Sequence, residues 1–125
     1  MKRVISTESA PSAVGAYSQA TATDQLIFTA GQIPFTPDGD SLADEPIGVQ
    51  TERCLDNVEA ILDAEGATMA DVLKTTVYLA DINDFEEMNE VYAGYFDDQP
   101  PARSAFEVAE LPKGVGIEIE AVASK

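Results

Sequence analysis

ARSAFEV (Ala102–Val108) and VGIEIEAVAS (Val115–Ser124) lie near the end of the chain, and in both segments side chains of two kinds alternate. Successive side chains of a β-strand point to opposite faces of a sheet, so this alternation predicts two strands joined through AELPKG. The first strand contains Arg103, although the 125-residue chain has only seven basic residues against 23 acidic ones. A basic residue in the middle of a predicted strand is thus unusual for this chain, and it raises the question of what Arg103 does there.

Two longer segments before these strands have the spacing of amphipathic helices. PIGVQTERCLDNVEAILDAEG (Pro46–Gly66) predicts the first, and Gly66 is a natural stop for it. The second is expected to begin at Asp84 as N-cap, with Glu87 at the spacing of a capping box. The side chains expected in the core are Val49, Leu55, Val58, Ile61 and Leu62 of the first helix, and Phe85, Met88, Val91 or Tyr92, and Tyr95 or Phe96 of the second.

Short apolar and β-branched segments predict the remaining strands. They are KRVIS (Lys2–Ser6), a segment near Tyr17, LIFTAGQI (Leu26–Ile33) and one around Thr75–Leu79. The resulting order, ββ(β)αβαββ, predicts an α+β sandwich in which one mixed sheet carries two helices on one face. The length predicts that residues 1–125 form a single domain.

Missing residue types exclude several kinds of chemistry. The chain has no histidine, which removes histidine bases, histidine metal ligands and a Ser-His-Asp triad. Its single cysteine, Cys54, cannot form an internal disulfide and falls within the first helical pattern, where a buried structural thiol is expected. We therefore expect neither a zinc site nor a redox pair of cysteines.

The net charge of −16 constrains the surroundings and partners of the protein. The acidic residues are scattered rather than gathered in a tail, which favours a protein kept soluble in high salt and a halophilic source. The same charge disfavours nucleic acid, because polyanion binding depends on contacts from lysine and arginine to phosphates. The start, MKRVISTESAP, lacks the apolar part of a secretory signal, and no apolar run approaches a membrane span. A cytoplasmic protein is therefore expected.

Alternation also assigns side chains to the two faces of the sheet. The isoleucines of the last strand, and Phe106 and Val108 of the strand before it, suit the face that packs against the helices. Arg103 and Glu118 then both fall on the far face, on strands expected to be neighbours. Also assigned to the far face are Thr76, Tyr78, Ile27 and Ile33. A half-apolar face of this kind needs a cover, so we expect a homo-oligomer whose sheets close on one another.

Two interpretations of Arg103 and Glu118 remain open at this point. Arginine and glutamate on adjacent strands often form a cross-strand ion pair, which contributes roughly 0.2–1 kcal/mol. Alternatively, the guanidinium binds a substrate carboxylate through two hydrogen bonds, beside a catalytic acid whose pKa is raised in a half-buried seam.

Several motifs connect the sequence to a known family. PPARSAFEVAELPKG and IEIEAVA occur with STESAPSAVGAYSQA, TAGQIP, LDNVEAIL and ADVLKTTVYLADINDFEEMNEVY, over nearly the whole chain. In these motifs, their order and their spacing, the sequence strongly resembles the Rid family of reactive intermediate deaminases, also called YjgF or endoribonuclease L-PSP. The resemblance implies a chorismate-mutase-like α+β fold in a homotrimer, with a central barrel of sheets, helices outside and sites between subunits.

The resemblance also implies an activity. Deaminases of the family hydrolyse short 2-imino acids, such as 2-iminobutanoate and 2-iminopropanoate, and their enamine tautomers to 2-oxo acids and ammonia, without a metal or organic cofactor. Two alternatives are a non-catalytic binder of small carboxylates or chaperone-like protein, and an endoribonuclease, which the absence of histidine and the net charge of −16 disfavour. The expected partners are the small imine and further copies of the chain, without nucleic acid or membrane.

Five positions match functional positions of the family. The resemblance implies that Arg103 clamps the substrate carboxylate and that Glu118 holds or activates water near the imine carbon. It implies that Tyr17 lines the pocket, that Gly31 forms a backbone wall leaving room for substrate, and that Asn89 is a pocket asparagine on the second helix.

Two positions depart from the family pattern. Ala105 stands where many deaminase members have a cysteine, and its backbone is expected to contact substrate. Ala30 stands where many members have a serine, which removes a hydroxyl from a possible hydrogen bond in the pocket. Since the implied chemistry needs only a carboxylate anchor and a water, we expect Ala105 to be compatible with activity.

Overall fold

The computed structural model describes residues 1–125. Its elements in chain order are β1 (Arg3–Ile5), β2 (Ala20–Ala22), β3 (Leu26–Thr29), α1 (Ile47–Asp63), β4 (Val72–Leu79), α2 (Phe85–Ala93), β5 (Ala102–Glu107) and β6 (Ile117–Ser124). Short 3₁₀ turns precede β4, α2 and β6. Neither α-helix combines the length and hydrophobicity that a bilayer crossing requires.

The six strands form one mixed sheet in the order β1-β2-β3-β6-β4-β5. All neighbouring strands run antiparallel except β4 and β5, which are parallel and are connected through α2. Both helices pack on the same face of the sheet, where 22 buried residues form one core cluster. The predicted α+β fold, with a mixed sheet and two helices on one face, is confirmed.

The first helix places most of its predicted stripe in the core. Gly66 follows α1 with a φ of +77°, a left-handed conformation that glycine adopts without steric cost, so it ends the helix as predicted. Val49 was wrongly assigned to the stripe, because it is 42% exposed. The buried positions beside it are taken by Gln50 and Thr51, whose side chains are hydrogen bonded to backbone groups. Fully buried, as predicted, are Leu55, Val58, Ile61 and Leu62.

The second helix begins at Phe85, but not through the predicted capping box. Asp84 makes no capping hydrogen bond, because the 3₁₀ turn Ile82–Asp84 leads directly into the helix. Glu87 instead reaches across to α1, where its Oε2 accepts a hydrogen bond of 2.9 Å from the backbone N–H of Gly48. The side chain therefore links the two helices at the start of α1, where an acidic group is favoured by the helix dipole.

The predicted strand Leu26–Ile33 ends early, at Thr29. Phe28 lies opposite Val122 of β6, and Gln32 lies opposite Ile119. The segment from Phe28 to Gln32 is therefore one residue longer than the segment of β6 that it faces. The extra residue is accommodated as a bulge around Gly31, which bends the chain away from regular pairing. Strand β2 forms at Ala20–Ala22, so Tyr17 itself lies in a loop.

The predicted position and faces of β5 were wrong. Strand β4 lies between β5 and β6, so the strands that carry Arg103 and Glu118 are not neighbours. In its parallel pairing with β4, Arg103 lies opposite buried Thr75, so Arg103 is on the face that carries the helices. Phe106 lies opposite Tyr78 on the far face, with the two ring centroids 5.4 Å apart and the rings nearly perpendicular. Side-chain size misled the assignment because β5 is an edge strand, where the large Phe106 remains 45% exposed.

The other far-face assignments give a mixed result. Tyr78 lies opposite Glu118 and Thr76 opposite Glu120, which confirms that Tyr78, Thr76 and Glu118 share the far face; Glu120 lies there as well. Ile27 was wrongly placed there, because it is fully buried opposite Ala123 on the helix face. Ile33 lies beyond the strand and lines the groove that contains Glu118.

Candidate active site

Arg103 is held in a fixed orientation by the second helix. Its Nη1 donates a hydrogen bond of 2.7 Å to Oδ1 of Asn89. Its guanidinium carbon lies 4.7 Å from the ring centroid of Tyr92 and 5.3 Å from that of Phe85, within the range of cation–π attraction. The hydroxyl of Tyr92 lies 2.6 Å from Oγ1 of Thr75 on β4, so the ring that contacts the arginine is itself anchored.

Arg103 has no acidic partner, although the chain carries 23 acidic residues. The ion pairs of the protein join Arg3 to Asp24 and to Glu65, and Lys125 to Glu65, and none of them includes Arg103. Arg103 therefore offers a positive group held only by uncharged side chains. It lines a groove of about 410 Å³ beside Asn89 and the loop that precedes β5.

Glu118 lies in a different groove, on the far face of the sheet. This groove has a volume of about 810 Å³, and Tyr17, Gly31 and Lys113 line it together with Glu118. The carboxylate is half-buried, and this burial is the main reason why its pKa is raised, with the negative charge of Glu120 adding to the effect. A carboxyl group in this condition takes up a proton more readily than an exposed glutamate.

The bulge in the chain after β3 brings Gly31 directly against Glu118. A Cβ atom at position 31 would lie 2.7 Å from Cδ of Glu118 and would overlap its Oε2. The absence of a side chain at Gly31 thus leaves room for the Glu118 carboxylate itself. Gly31 had been expected to leave room for substrate.

Glu120 occupies the same face but has a partner. Its Oε1 accepts a hydrogen bond of 3.0 Å from the hydroxyl of Tyr78. Burial and the bond to Glu120 raise the pKa of Tyr78, so the phenol stays protonated and keeps donating. The carboxylate of Glu118, in contrast, accepts no hydrogen bond within the chain and is free for other partners.

The loop that carries Tyr17 is organised by Gln19, a residue that the sequence analysis did not single out. Buried Gln19 accepts a hydrogen bond of 2.6 Å from the N–H of Thr7 and donates to the carbonyls of Thr7 at 3.0 Å and Pro11 at 2.8 Å. A single glutamine gives no periodic signal, so only its folded contacts identify it. Tyr17 itself is more than half exposed at the mouth of the groove.

The residues that the resemblance selected fall into two groups. Arg103 and Asn89 contact each other, and Ala105 lies on the same face, packed against the core. The second group, on the other side of the sheet, consists of Tyr17, Gly31 and Glu118. Within one chain the six residues therefore form two half-sites, and a direct ion pair between Arg103 and Glu118 is excluded. No group of three or more acidic or cysteine side chains is arranged to hold a metal ion.

A family model and close relatives place the protein among known sequences. The model described as Endoribonuclease L-PSP matches residues 7–125, so the chain belongs to this family, whose members include Rid and YjgF proteins. The RutC family protein PH0854 of Pyrococcus horikoshii is 53% identical over 100% of this chain and 99% of that protein. The 2-iminobutanoate/2-iminopropanoate deaminases of Rattus norvegicus and Homo sapiens are 48% and 49% identical over 98% of this chain and 90% of each relative.

Solved structures confirm the predicted YjgF-type fold. The crystal structure of YEO7 from yeast superposes with a TM-score of 0.96 at 42% identity, covering 100% of this chain and 99% of that one. The structure of TdcF from E. coli with bound serine gives a TM-score of 0.93 at 42% identity, covering 98% of both chains.

Proposed function

We propose that this protein hydrolyses short 2-imino acids, such as 2-iminobutanoate and 2-iminopropanoate, and their enamine tautomers to 2-oxo acids and ammonia. The observation that carries the proposal is Arg103, a guanidinium fixed by uncharged neighbours and without an acidic partner in a strongly acidic chain. The names of the rat and human relatives, at 48% and 49% identity over 98% of the chain, agree with it.

Arg103 supplies the carboxylate anchor in this proposal. A guanidinium pairs with a carboxylate through two parallel N–H···O hydrogen bonds, which fixes both the position and the plane of the ligand. Asn89 occupies one nitrogen, and the rings of Tyr92 and Phe85 hold the plane of the group. The remaining N–H groups are then oriented before substrate arrives, so little entropy is lost on binding.

Glu118 supplies the proton transfers. Water adds to the carbon of the N-protonated imine, and Glu118 accepts a proton from that water to give a carbinolamine. Glu118 then returns this proton to the amino nitrogen, the carbon–nitrogen bond breaks and ammonia leaves. The Glu118 carboxylate takes up the hydroxyl proton as the carbonyl of the 2-oxo acid forms. Burial raises the pKa of Glu118, so this carboxyl group holds a proton more readily than an exposed glutamate and is suited to accept a proton and return it.

We further propose that the two half-sites meet between copies of the chain, in a homotrimer. Arg103 and Glu118 lie on opposite faces of one sheet, so a substrate that touches both requires Arg103 from one chain and Glu118 from its neighbour. The far face also exposes Val4 by 64%, Phe28 by 45% and Phe106 by 45%, which supports a protein partner there. A cyclic arrangement of three copies gives three such sites.

A subunit-mixing experiment tests both proposals. 2-Iminobutanoate is generated in situ at high salt, and its decay is followed with wild type, Arg103→Ala, Glu118→Gln and the two variants co-expressed. Each variant alone should be inactive. When the two variants assemble at random, about three quarters of the trimers contain both, and each of these trimers has one intact site out of three. The co-expressed pair should therefore recover about one quarter of wild-type activity. No acceleration by wild type would contradict the deaminase, and inactive mixtures of folded variants would contradict the shared site.

Carboxylate binding without catalysis is the second candidate, because the TdcF structure at 42% identity contains bound serine. Titration of wild type with 2-oxobutanoate separates the two candidates. Binding that Arg103→Ala abolishes, without any acceleration of imine decay, would favour the binder. The endoribonuclease suggested by the family description is tested by incubation with RNA, and the net charge of −16 opposes it.

A further inference from the structure

Lys113 is the one basic residue that lines the Glu118 groove. It belongs to the turn Pro112–Gly114, which connects β5 to β6. The acidic side chains that line the same groove are Glu118 and Asp38, and neither lies within 4.0 Å of the Lys113 ammonium group. The groove therefore contains a cation without an ion-pair partner in a chain where acidic residues outnumber basic ones by 23 to seven.

The backbone holds Lys113 in an uncommon conformation. With φ of 60° and ψ of 18°, it is the only residue other than glycine in the left-handed region. This conformation costs a lysine roughly 1–2 kcal/mol compared with the right-handed one. The turn is fixed after Lys113 by buried Val115 and by a hydrogen bond of 2.8 Å from the N–H of Gly116 to Oε1 of Gln50. The backbone position of Lys113 beside the groove is thus set by the fold, while its exposed side chain lines the groove.

In one chain the groove has a volume of about 810 Å³, which is more than a three- or four-carbon imino acid occupies. The neighbouring chain of the proposed trimer, which brings Arg103 to the groove, takes part of this space. With the substrate carboxylate on Arg103 of the neighbouring chain and the imine carbon at Glu118, as proposed above, the space beside Glu118 in this groove is the space left for the substrate side chain. The groove wall that receives it includes Ile33 and Phe35 along with Lys113.

We propose that Lys113 is a specificity-determining residue that binds a second anionic group, so that 2-imino acids with a distal carboxylate are preferred substrates. This inference rests on the proposed function of the Arg103 and Glu118 half-sites. The ammonium group of Lys113 pairs with the distal carboxylate and offsets its repulsion by Glu118 and Asp38. Substrates with neutral side chains occupy the same groove without that contact.

The kinetic test compares two imines that differ in the distal carboxylate. 2-Iminobutanoate and 2-iminoglutarate are generated in situ by amino-acid oxidases and presented to wild type, Lys113→Met and Lys113→Arg. Lys113→Met should lower kcat/KM for 2-iminoglutarate roughly fivefold, the effect of one partly exposed ion pair, through KM rather than kcat. The value for 2-iminobutanoate should stay within about twofold, and Lys113→Arg should retain the preference.

Lys2→Met is the matched control, because it makes the same change in net charge at the exposed chain start. An equal loss for both imines, or the same loss in Lys2→Met, would overturn the role of Lys113. Calorimetry with the products 2-oxoglutarate and 2-oxobutanoate separates this inference from the catalytic proposal. If wild type prefers 2-oxoglutarate and Lys113→Met does not, the Lys113 contact stands even if imine decay is not accelerated; equal affinities would overturn it.

Discussion

Arg103 and Glu118 lie on opposite faces of the same sheet, although their strands both pair with β4. Arg103 shares its face with buried Thr75 and is held by α2, whereas Glu118 shares its face with Tyr78. This relationship excludes the cross-strand ion pair that alternation alone would allow. Because different residues surround Arg103 and Glu118, a substitution can disturb one of the two side chains without disturbing the other.

Gly31→Ala should disable Glu118 without unfolding the protein. A Cβ at position 31 would overlap Oε2 of Glu118, so the carboxylate must move away from its place in the groove. We expect kcat for 2-iminobutanoate to fall at least about tenfold, because general acid–base groups depend on position. Gly94→Ala is the control, since its Cβ meets no atom closer than 3.4 Å and its φ of −70° suits alanine. Equal activity of the two variants would show that Gly31 does not position the acid.

Tyr92 should matter to ligand binding through its ring and to stability through its hydroxyl. Tyr92→Leu removes the ring 4.7 Å from the Arg103 guanidinium and should weaken 2-oxobutanoate binding roughly threefold or more. Tyr92→Phe keeps the ring but leaves Oγ1 of buried Thr75 without its partner, at a cost of about 1 kcal/mol in the free energy of unfolding. Calorimetric titration and denaturant unfolding measure the two effects. Weakened binding in Tyr92→Phe equal to that in Tyr92→Leu would contradict the role of the ring.

The raised pKa of Glu118 predicts a pH-dependent gain in stability when its charge is removed. Because folding raises this pKa above its ordinary value of 4.5, the contribution of Glu118 to stability is present below that value and is lost as pH rises through the folded pKa. Glu118→Gln should therefore melt at a higher temperature than wild type near neutral pH, and the difference should vanish in acid. Thermal unfolding across pH checks this, with exposed Glu110→Gln as control. A gain that persists unchanged in acid would indicate a cause other than ionisation.

Gln19→Ala should loosen the loop that carries Tyr17. The substitution removes hydrogen bonds to the backbone of Thr7 and Pro11 and leaves buried polar groups without partners, at a cost of about 1–3 kcal/mol. Faster proteolytic cleavage in the loop should accompany the loss. Gln25→Ala, at an exposed turn where the side chain makes no hydrogen bond, is the matched control. If both variants are cleaved at the wild-type rate, Gln19 does not hold the loop.

The charge of −16 should make stability increase with salt. Mutual repulsion of acidic side chains destabilises the folded chain at low ionic strength, and salt screens it. We expect the denaturation temperature to rise with KCl up to concentrations of about 1 M, where the screening length is only a few ångströms. A maximum well below that concentration would contradict the expected halophilic behaviour.

Sequence patterns were sufficient where one face of an element is fully buried. The alternation in β6 and the stripe of α1 follow the core because Ile117, Ile119 and Leu55 are completely enclosed. The same reasoning failed for β5, an edge strand on which neither face is fully buried and the largest side chain lies on the far face. Edge strands give a weak pattern because burial, which creates the alternation, is incomplete there.

The candidate site was predictable only in its residue types. The resemblance selected Arg103, Glu118 and Gly31 by motif, but their contacts depend on features without a sequence signature. The bulge at Gly31 arises from a one-residue mismatch between two strands far apart in the chain. The support of Arg103 by Tyr92 was hidden because an aromatic residue in a helical stripe is ordinarily a core residue, which Tyr92 also is.

The helix–strand unit from α2 to β5 has a practical consequence for protein engineering. Phe85, Asn89, Tyr92 and Arg103 all lie within this short continuous segment, so the half of the site that we propose to bind the carboxylate is encoded as a single cassette. The Glu118 half, in contrast, draws on the Tyr17 loop, the Gly31 bulge and the last strand. Exchanging residues 85–103 between family members would transfer ligand anchoring as one unit, whereas the acid half could be transplanted only with most of the sheet.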